Sequence, residues 1–281
     1  MDEHNTLAGK VAIVTGASSG LGREIAIVYA RNGVNVVAAA RRKPELDKLV
    51  RELTKSYGGK HIAVATDITS RYSVQALFDT AIASYGKFDI VVNSAGNAYL
   101  WPLESHTPEQ VLQLNSVLVN GNALMHLYGI THLKRFLREG KIENGIIIDV
   151  LSSSAQDLYE HNGVYGPAKE YMSKLSRLNQ QDNPELVFIR LYPSNFKSSL
   201  INEKTASPKV YAYIKNAPKL ETGDIALVVR KLTEDGKSDD VYMEKRDDDG
   251  NERIVIDRLT HIKPSHAKDE ALLEYVLRRR K

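Results

Sequence analysis

Val11-Ala12-Ile13-Val14-Thr15-Gly16-Ala17-Ser18-Ser19-Gly20-Leu21-Gly22 is the stretch on which the reading of this chain turns. Its first five residues form an apolar, β-branched run suited to a buried strand, and from Leu21 to Asn32 the apolar positions take on helical spacing. Between them stand three glycines at Gly16, Gly20 and Gly22. Glycines permit a tight strand-to-helix turn, let an anionic group approach the backbone, and allow the helix to pack close to the strand. The N-terminus of the helix then offers unpaired N–H groups to that anion.

Outward from this unit the same beat continues. Strand Val34–Ala40 precedes helix Pro44–Tyr57, strand Ile62–Thr66 precedes helix Ser73–Tyr85, and strand Ile90–Asn93 is followed, after a loop with Trp101-Pro102, by a long helical region from Thr107 to Glu139. Strand Ile146–Leu151, helix Pro167–Leu178 and strand Leu186–Tyr192 complete it. Apolar strands alternating with helices predict an α/β chain with a doubly wound parallel sheet, helices on both faces. After Pro193 the beat breaks. Ser194–Pro218 is rich in Lys, Ser, Asn and Pro and reads as a mobile segment holding at most a short helix at Val210–Lys215. Helix Thr222–Thr233 restores order, strands Val241–Lys245 and Arg253–Leu259 flank an acidic turn at Asp247–Asn251, and Lys268–Arg280 reads as a helix. With no linker or repeat, residues 1–281 read as a single domain: a core at about 7–235, a substrate loop at about 194–220 and a C-terminal hairpin and helical extension at about 238–281.

Composition narrows the chemistry. There is no Cys, which removes disulfides, thiolate metal sites and thiol nucleophiles. The eight His show no H-E-x-x-H spacing, and His126 and His132 read as surface or helix residues, so no metal is expected. A formal charge of +3 on 281 residues is not the footprint of a nucleic-acid binder, and the terminal Arg278–Lys281 run reads as a solvated helix end. No apolar stretch reaches the ~18 residues of a membrane span, and the beginning lacks a signal peptide's basic and apolar segments. A soluble, cytoplasmic protein is expected, with neither nucleic acid nor membrane as partner.

Two further features carry chemistry. Tyr165-Gly166-Pro167-Ala168-Lys169 places Tyr165 and Lys169 four apart, on one face of a helix, with Pro167 tolerable only in its first turn. A phenol with its ordinary pKa near ~10 is a poor proton carrier at neutral pH, and a neighbouring ammonium favours the phenolate. Gly16-Ala17-Ser18-Ser19-Gly20 also satisfies G-x-S-x-G, the nucleophile elbow of serine hydrolases. That elbow follows earlier strands, whereas only ten residues precede Val11, which weighs against a hydrolase using Ser18.

Taken together, Thr15–Gly22 as T-G-x-x-x-G-x-G, Asn93-Ser94-Ala95-Gly96 and Tyr165–Lys169 as Y-x-x-x-K resemble the short-chain dehydrogenase/reductase family, in its compact single-domain branch, in order and in spacing over about residues 7–235. The resemblance implies a Rossmann fold and direct hydride transfer between a nicotinamide cofactor and a small-molecule carbonyl or alcohol, with Tyr165 handling the proton. It implies that Ser152, thirteen residues before Tyr165, polarises the substrate carbonyl, that Lys169 holds the nicotinamide ribose, and that Asn115 is the fourth catalytic residue, its backbone helping to hold a water. Asn120 and Asn122 match no motif and read as solvent-facing.

Cofactor contacts are implied for Gly16, Ser18, Ser19, Gly20, Leu21, Gly22, Asp67, Ile68, Asn93, Ala95, Gly96, Tyr165, Lys169, Pro193 and Ser198. Pro193-Ser194 stands where the family usually has Pro-Gly, and Ser198 where it usually has Thr. The dinucleotide is expected to be NADP(H). An NAD site offers Asp or Glu at the end of the second strand, and here Ala40 is followed by Arg41 and Arg42, which suit a 2′-phosphate. The substrate pocket is expected from Asn97–Trp101, Gln156–His161 and the segment after Pro193, with Tyr99, Leu100, Trp101, Leu158 and Tyr159 on its walls. The family pairs helices across subunits, and the apolar set Val111, Leu114, Leu118, Leu124, Leu127, Leu133 and Leu137 exceeds one stripe, so a homo-oligomer, a tetramer, is expected. A cofactor-sensing protein without turnover is the alternative, against which the intact set Asn115, Ser152, Tyr165 and Lys169 weighs.

Overall fold

Strand β1 (Val11–Thr15) is buried along its whole length, because helices cover both faces of the sheet it anchors. The computed structural model describes residues 6–248, 251–258 and 267–268. Chain order runs β1, α1 (Gly20–Arg31), β2 (Asn35–Ala40), α2 (Lys43–Tyr57), β3 (Ile62–Ala65), α3 (Arg71–Tyr85), β4 (Ile90–Asn93), α4 (Pro108–Asn115), α5 (Asn122–Arg138), β5 (Ile146–Val150) and α6 (Tyr165–Asp182). It continues through β6 (Val187–Pro193), α7 (Pro208–Asn216), α8 (Thr222–Asp235), β7 (Asp239–Asp248), β8 (Asn251–Arg258) and β9 (Ala267–Lys268).

Spatially the described strands form one sheet in the order β3-β2-β1-β4-β5-β6-β7-β8-β9. β1 to β7 are parallel, and β8 and β9 join antiparallel. The order reverses between β1 and β4, since β1 pairs with β2 on one side and β4 on the other. In such sheets ligands bind in the crevice beyond the carboxyl ends of the strands at this reversal. One face is packed by α1, α2 and α8, through residues such as Ile25, Leu49 and Val229. The other is packed by α3 and α5, through Phe78, Phe88, Phe136 and their neighbours. No described helix is long and apolar enough to cross a membrane.

Several expectations change here. The helical region 107–139 is not continuous. A capping box at Thr107 and Gln110 opens α4, and a π turn over Ser116–Gly121 separates it from α5. Gly121 explains the break, for a Cβ there would lie 2.8 Å from the Ile68 side chain, so this turn is pressed against the loop after β3. Asn122 is buried rather than solvent-facing, and its Nδ2 donates to the carbonyl oxygens of Val117 and Leu118 inside that turn.

The segment 194–220 is also more ordered than its composition predicts. Leu100 N–H donates to Thr205 at 2.7 Å and Ser207 N–H to Leu100 at 2.9 Å, while Lys197 and Leu220 close a second pairing through Leu220 and Asn195. Backbone groups paired in this way need no apolar side chains of their own. Ser207 caps α7, and its hydroxyl meets His161 Nδ1 at 2.7 Å. This contact holds His161 in a left-handed conformation (φ 59°), which non-glycine residues seldom adopt. The strands at the C-terminal end are present, but Asp249, Gly250, Leu259 and 269–280 lie outside the described residues, and Lys268 falls in β9.

β7 is fixed to the sheet by a buried ionic cluster. Asp240 takes Arg190 on β6 and Arg177 on α6, the latter at 2.8 Å, and the Ser173 and Tyr192 hydroxyls meet at 2.8 Å beside it. Removing one partner of such a group leaves an uncompensated buried charge, at a cost of about 3–5 kcal/mol.

Candidate active site

At the carboxyl end of β1, the chain turns through Gly16 at φ +70°. A Cβ on Gly16 would lie 2.8 Å from the Ser94 carbonyl oxygen, and one on Gly22 would lie 2.7 Å from the Gly16 carbonyl oxygen. The loop after β1, the loop after β4 and the start of α1 are thus in backbone contact. Thr15 ties them: its hydroxyl donates to Val92 O and accepts from the N–H groups of Ser94 and Ala95 at 3.0 and 3.1 Å. Ser19, at the N-cap of α1, makes no side-chain cap. The first N–H groups of this helix therefore have no side-chain acceptor at the N-cap, an arrangement suited to a phosphate.

These loops bound a cleft. Its lining includes Gly16, Ser18, Ser19, Gly20, Leu21, Gly22, Arg41, Arg42, Asp67, Ile68, Ala95, Gly96, Tyr165, Lys169 and Ser198. Arg42 reaches over the glycine loop and donates to the Ser18 and Ser19 hydroxyls at 2.8 and 2.7 Å, while Arg41 is exposed. Asp67 holds its own turn by accepting from the N–H and hydroxyl of Thr69. Both polar atoms of the Asn97 amide are buried on the cleft lining without a hydrogen-bond partner. Uncapped helix donors, exposed arginines and an orphaned amide fit an elongated ligand bearing phosphates. Asn93 lies beneath the cleft, buried, with Nδ2 on Asp149, and Pro193 ends β6; neither lines the cavity.

The inner end of the cleft is Tyr165 and Lys169. Both are buried, and both sit in the first two turns of α6, with Pro167 in the first. Lys169 Nζ donates to Val150 O at 2.8 Å and lies 5.8 Å from the centre of the Tyr165 ring. Burial pushes the Tyr165 phenol up to about 12, with a hydrogen bond to Ser152 partly opposing it. Burial brings Lys169 down to about 8, opposed by the negative charge of Asp149. In this site, then, burial outweighs the ammonium as the influence on the phenol. Ser152 accepts from Ser154 N–H at 3.2 Å, and Ser153 is buried and takes the Tyr159 hydroxyl. Asn115 is the last residue of α4, directly before the π turn, and lines neither cavity.

Beyond Tyr165 opens a larger chamber of about 690 Å³, sharing Tyr165, Phe196, Ser198 and Leu200 with the cleft. Tyr159 lines it. Leu158 is instead fully exposed, and Tyr99 and Trp101 line neither cavity. Of the stretch Tyr99–Trp101 only Leu100 lines the chamber, because it is drawn against Ala206 in extended pairing, which turns its sequence neighbours to the opposite side.

Sequence reasoning missed a buried polar group beneath the site. Asp149, wholly buried on β5, accepts from His126 Nε2 at 2.9 Å and Asn93 Nδ2 at 2.8 Å, and Asn179 adjoins His126 Nδ1 at 3.2 Å. His126 is thus a core residue and not a surface one. Burial works against a charge on Asp149, but His126 and hydrogen bonds hold its carboxyl below the usual range. The signal was available: an Asp in the apolar run Ile146–Val150.

Comparison with known proteins agrees with this geometry. Residues 10–206 match the short chain dehydrogenase family. An uncharacterized oxidoreductase of Listeria monocytogenes, Lmo0432, is 31% identical over 208 residues, covering 71% of this chain and 79% of the relative. An alcohol dehydrogenase from the archaeon Thermococcus sibiricus, complexed with 5-hydroxy-NADP, superposes with a TM-score of 0.73 at 25% identity over 92% of this chain and 99% of that one. A 3-ketoacyl-(acyl-carrier-protein) reductase from Brucella melitensis, complexed with NADH, gives 0.72 at 28% identity over 80% and 91%. The match across residues 10–206, with the parallel sheet and the glycine loop at its reversal, makes this chain an oxidoreductase of the short chain dehydrogenase family.

Proposed function

We propose that the protein moves a hydride between the nicotinamide of NADP(H) and a carbonyl or secondary alcohol, with Tyr165 as general acid and base. The observation that carries this reading is the buried Tyr165–Lys169 pair at the junction of a phosphate-fitting cleft and a separate chamber. When bound, the cofactor supplies the hydride chemistry. The chain supplies the rest: Gly16–Gly22 and the start of α1 for the phosphates, Asp67 and Ile68 for the adenine end, Ala95 and Gly96 along the ribose, Ser198 and Lys169 at the inner end. Arg41 and Arg42 favour a 2′-phosphate, since no carboxylate stands at Ala40 to repel it.

With its pKa near 12, Tyr165 carries its proton throughout the neutral range and is set to donate it to a substrate oxygen. Ser152, hydrogen-bonded to that phenol, would hold the same oxygen as charge develops on it. Alcohol oxidation needs the phenolate, and Lys169 is the cation the chain places beside it. Exposed Leu112, Leu127, Tyr171 and Leu178 on α4, α5 and α6 support a tetramer paired through these helices. Light scattering at four chain masses is the expected result.

The test is a carbonyl panel followed by loss of NADPH absorbance. Tyr165→Phe is expected to leave NADPH affinity nearly intact and to lower turnover by ~10²–10⁴-fold. Turnover at the wild-type level in that variant would overturn the mechanism.

A further inference from the structure

We propose that the chamber beyond Tyr165 takes an elongated, mainly apolar carbonyl compound that ends in an anionic group, and that Lys215 and Lys219 bind that end. The proposal rests on the reading of Tyr165 as the proton donor, which fixes the reacting end of such a molecule.

Five lysines, Lys215 and Lys219 among them, and two glutamates line the chamber wall. Two of the lysines are already matched, Lys197 by Glu221 at 2.5 Å and Lys209 by Glu160. Lys215 and Lys219 have no carboxylate partner among the described residues. Lys219 Nζ is held by the carbonyl oxygens of Lys215 and Ala217 at 2.8 and 3.4 Å, the free acceptors at the end of α7. This tethers the ammonium on the chamber wall without neutralising it.

The same chamber is lined by Tyr165 and by the apolar side chains of Leu100, Phe196, Ile201, Tyr211 and Ile214, alongside serines and asparagines. A small neutral ketone would leave that surface wet and the two cations unused. A molecule with an apolar body and a terminal carboxylate, sulfonate or phosphate satisfies both ends. The chamber's about 690 Å³ suits a body of that size.

The test uses Lys215→Gln/Lys219→Gln, which removes both charges and keeps a polar, unbranched side chain one atom shorter. With NADPH saturating, the protein is titrated with 8-anilinonaphthalene-1-sulfonate and with the neutral N-phenyl-1-naphthylamine. The variant is expected to bind the sulfonate ~10-fold more weakly and the neutral dye within ~2-fold of wild type, the first difference shrinking as salt is raised. In parallel, an aryl-alkyl keto acid and its methyl ester are compared as substrates. The ratio of their kcat/KM values is expected to favour the acid in the wild type and to fall ~10-fold in the variant. Equal losses for both dyes, no loss for the sulfonate, or a wild type that reduces ester and acid equally well would overturn the proposal. Selective sulfonate loss with neither ketone reduced would retain the anion site and defeat the catalytic reading. Reduction of both ketones without selectivity would do the reverse.

Discussion

The cleft and the chamber meet at Tyr165 but are built from different materials. The cleft is framed largely by backbone: Gly16 against Ser94, Gly22 against Gly16, and the Thr15 hydroxyl joining two strand ends. A side chain can be added at none of these points without moving main chain. The chamber is walled by side chains from distant segments, including Leu100, Tyr159, Phe196, Ile214 and Tyr242, held by pairing between loops. A wall of that kind can change its residues and keep its frame. On the proposed function, the cofactor would be gripped by the backbone-framed cleft and the substrate selected by the side-chain-walled chamber, as when binding loops vary on a fixed scaffold.

The strongest way to break this contrast is Gly16→Val. The added Cβ would lie 2.8 Å from Ser94 O, and φ at this position is +70°, where a β-branched residue is strained by about 1–2 kcal/mol before any clash. NADPH binding is expected to fall by at least ~10²-fold in a titration, whereas Ile214→Val in the chamber should leave it unchanged. Comparable losses in the two variants would mean that the regions are not mechanically separate.

Arg42→Ala sharpens the comparison within the cleft, because Arg42 both faces the proposed 2′-phosphate site and clamps Ser18 and Ser19. A hydrogen bond to a charged group contributes about 1.5–3 kcal/mol, so NADPH affinity should drop ~10–100-fold and NADH affinity only a few-fold through the looser loop. Equal losses for both cofactors would reduce Arg42 to a clamp. Arg41→Ala, which breaks no contact to the loop, should affect NADPH alone.

The same division explains what was legible in the sequence. Thr15–Gly22 and Tyr165–Lys169 are each confined to one turn or loop, so spacing alone carries their geometry. The sheet was legible because its strands are short apolar runs between amphipathic helices. Asp149 and His126 are 23 residues apart on β5 and α5, and nothing local links them. Segment 194–220 read as loose from its lysines and asparagines, yet its order comes from backbone bonds to Leu100 and Leu220, to which composition is blind. The break at Ser116–Gly121 depends on Ile68 crowding Gly121 from another loop. Leu158 was placed by its apolarity, although a single exposed leucine is ordinary at a protein surface.

The smallest expected effect concerns the floor shared by both regions. Asp149 is buried, and although burial opposes its charge, His126 and its hydrogen bonds keep it below the ordinary carboxylate range, so it is ionised at neutral pH. Its charge favours the ammonium form of Lys169, which burial has brought down to about 8. Tyr165, near 12, cannot produce a limb in that region. kcat/KM for carbonyl reduction should therefore decline as pH rises through about 8, as Lys169 loses its proton. Asp149→Asn keeps an acceptor for His126 but removes the charge, so Lys169 should deprotonate at lower pH and the alkaline limb should move down by less than ~1 unit, or under ~1.4 kcal/mol. The stability effect has its own sign: a depressed carboxylate pKa stabilises above its unfolded value near ~3.9 and that contribution is lost as pH falls through the folded value. The variant should thus be less stable at pH 7 and less sensitive to acid, as thermal unfolding at several pH values would record. A lower melting temperature with an unmoved alkaline limb would make Asp149 a support for His126 only. A shifted limb would join this buried carboxylate to the proton chemistry of the site above it.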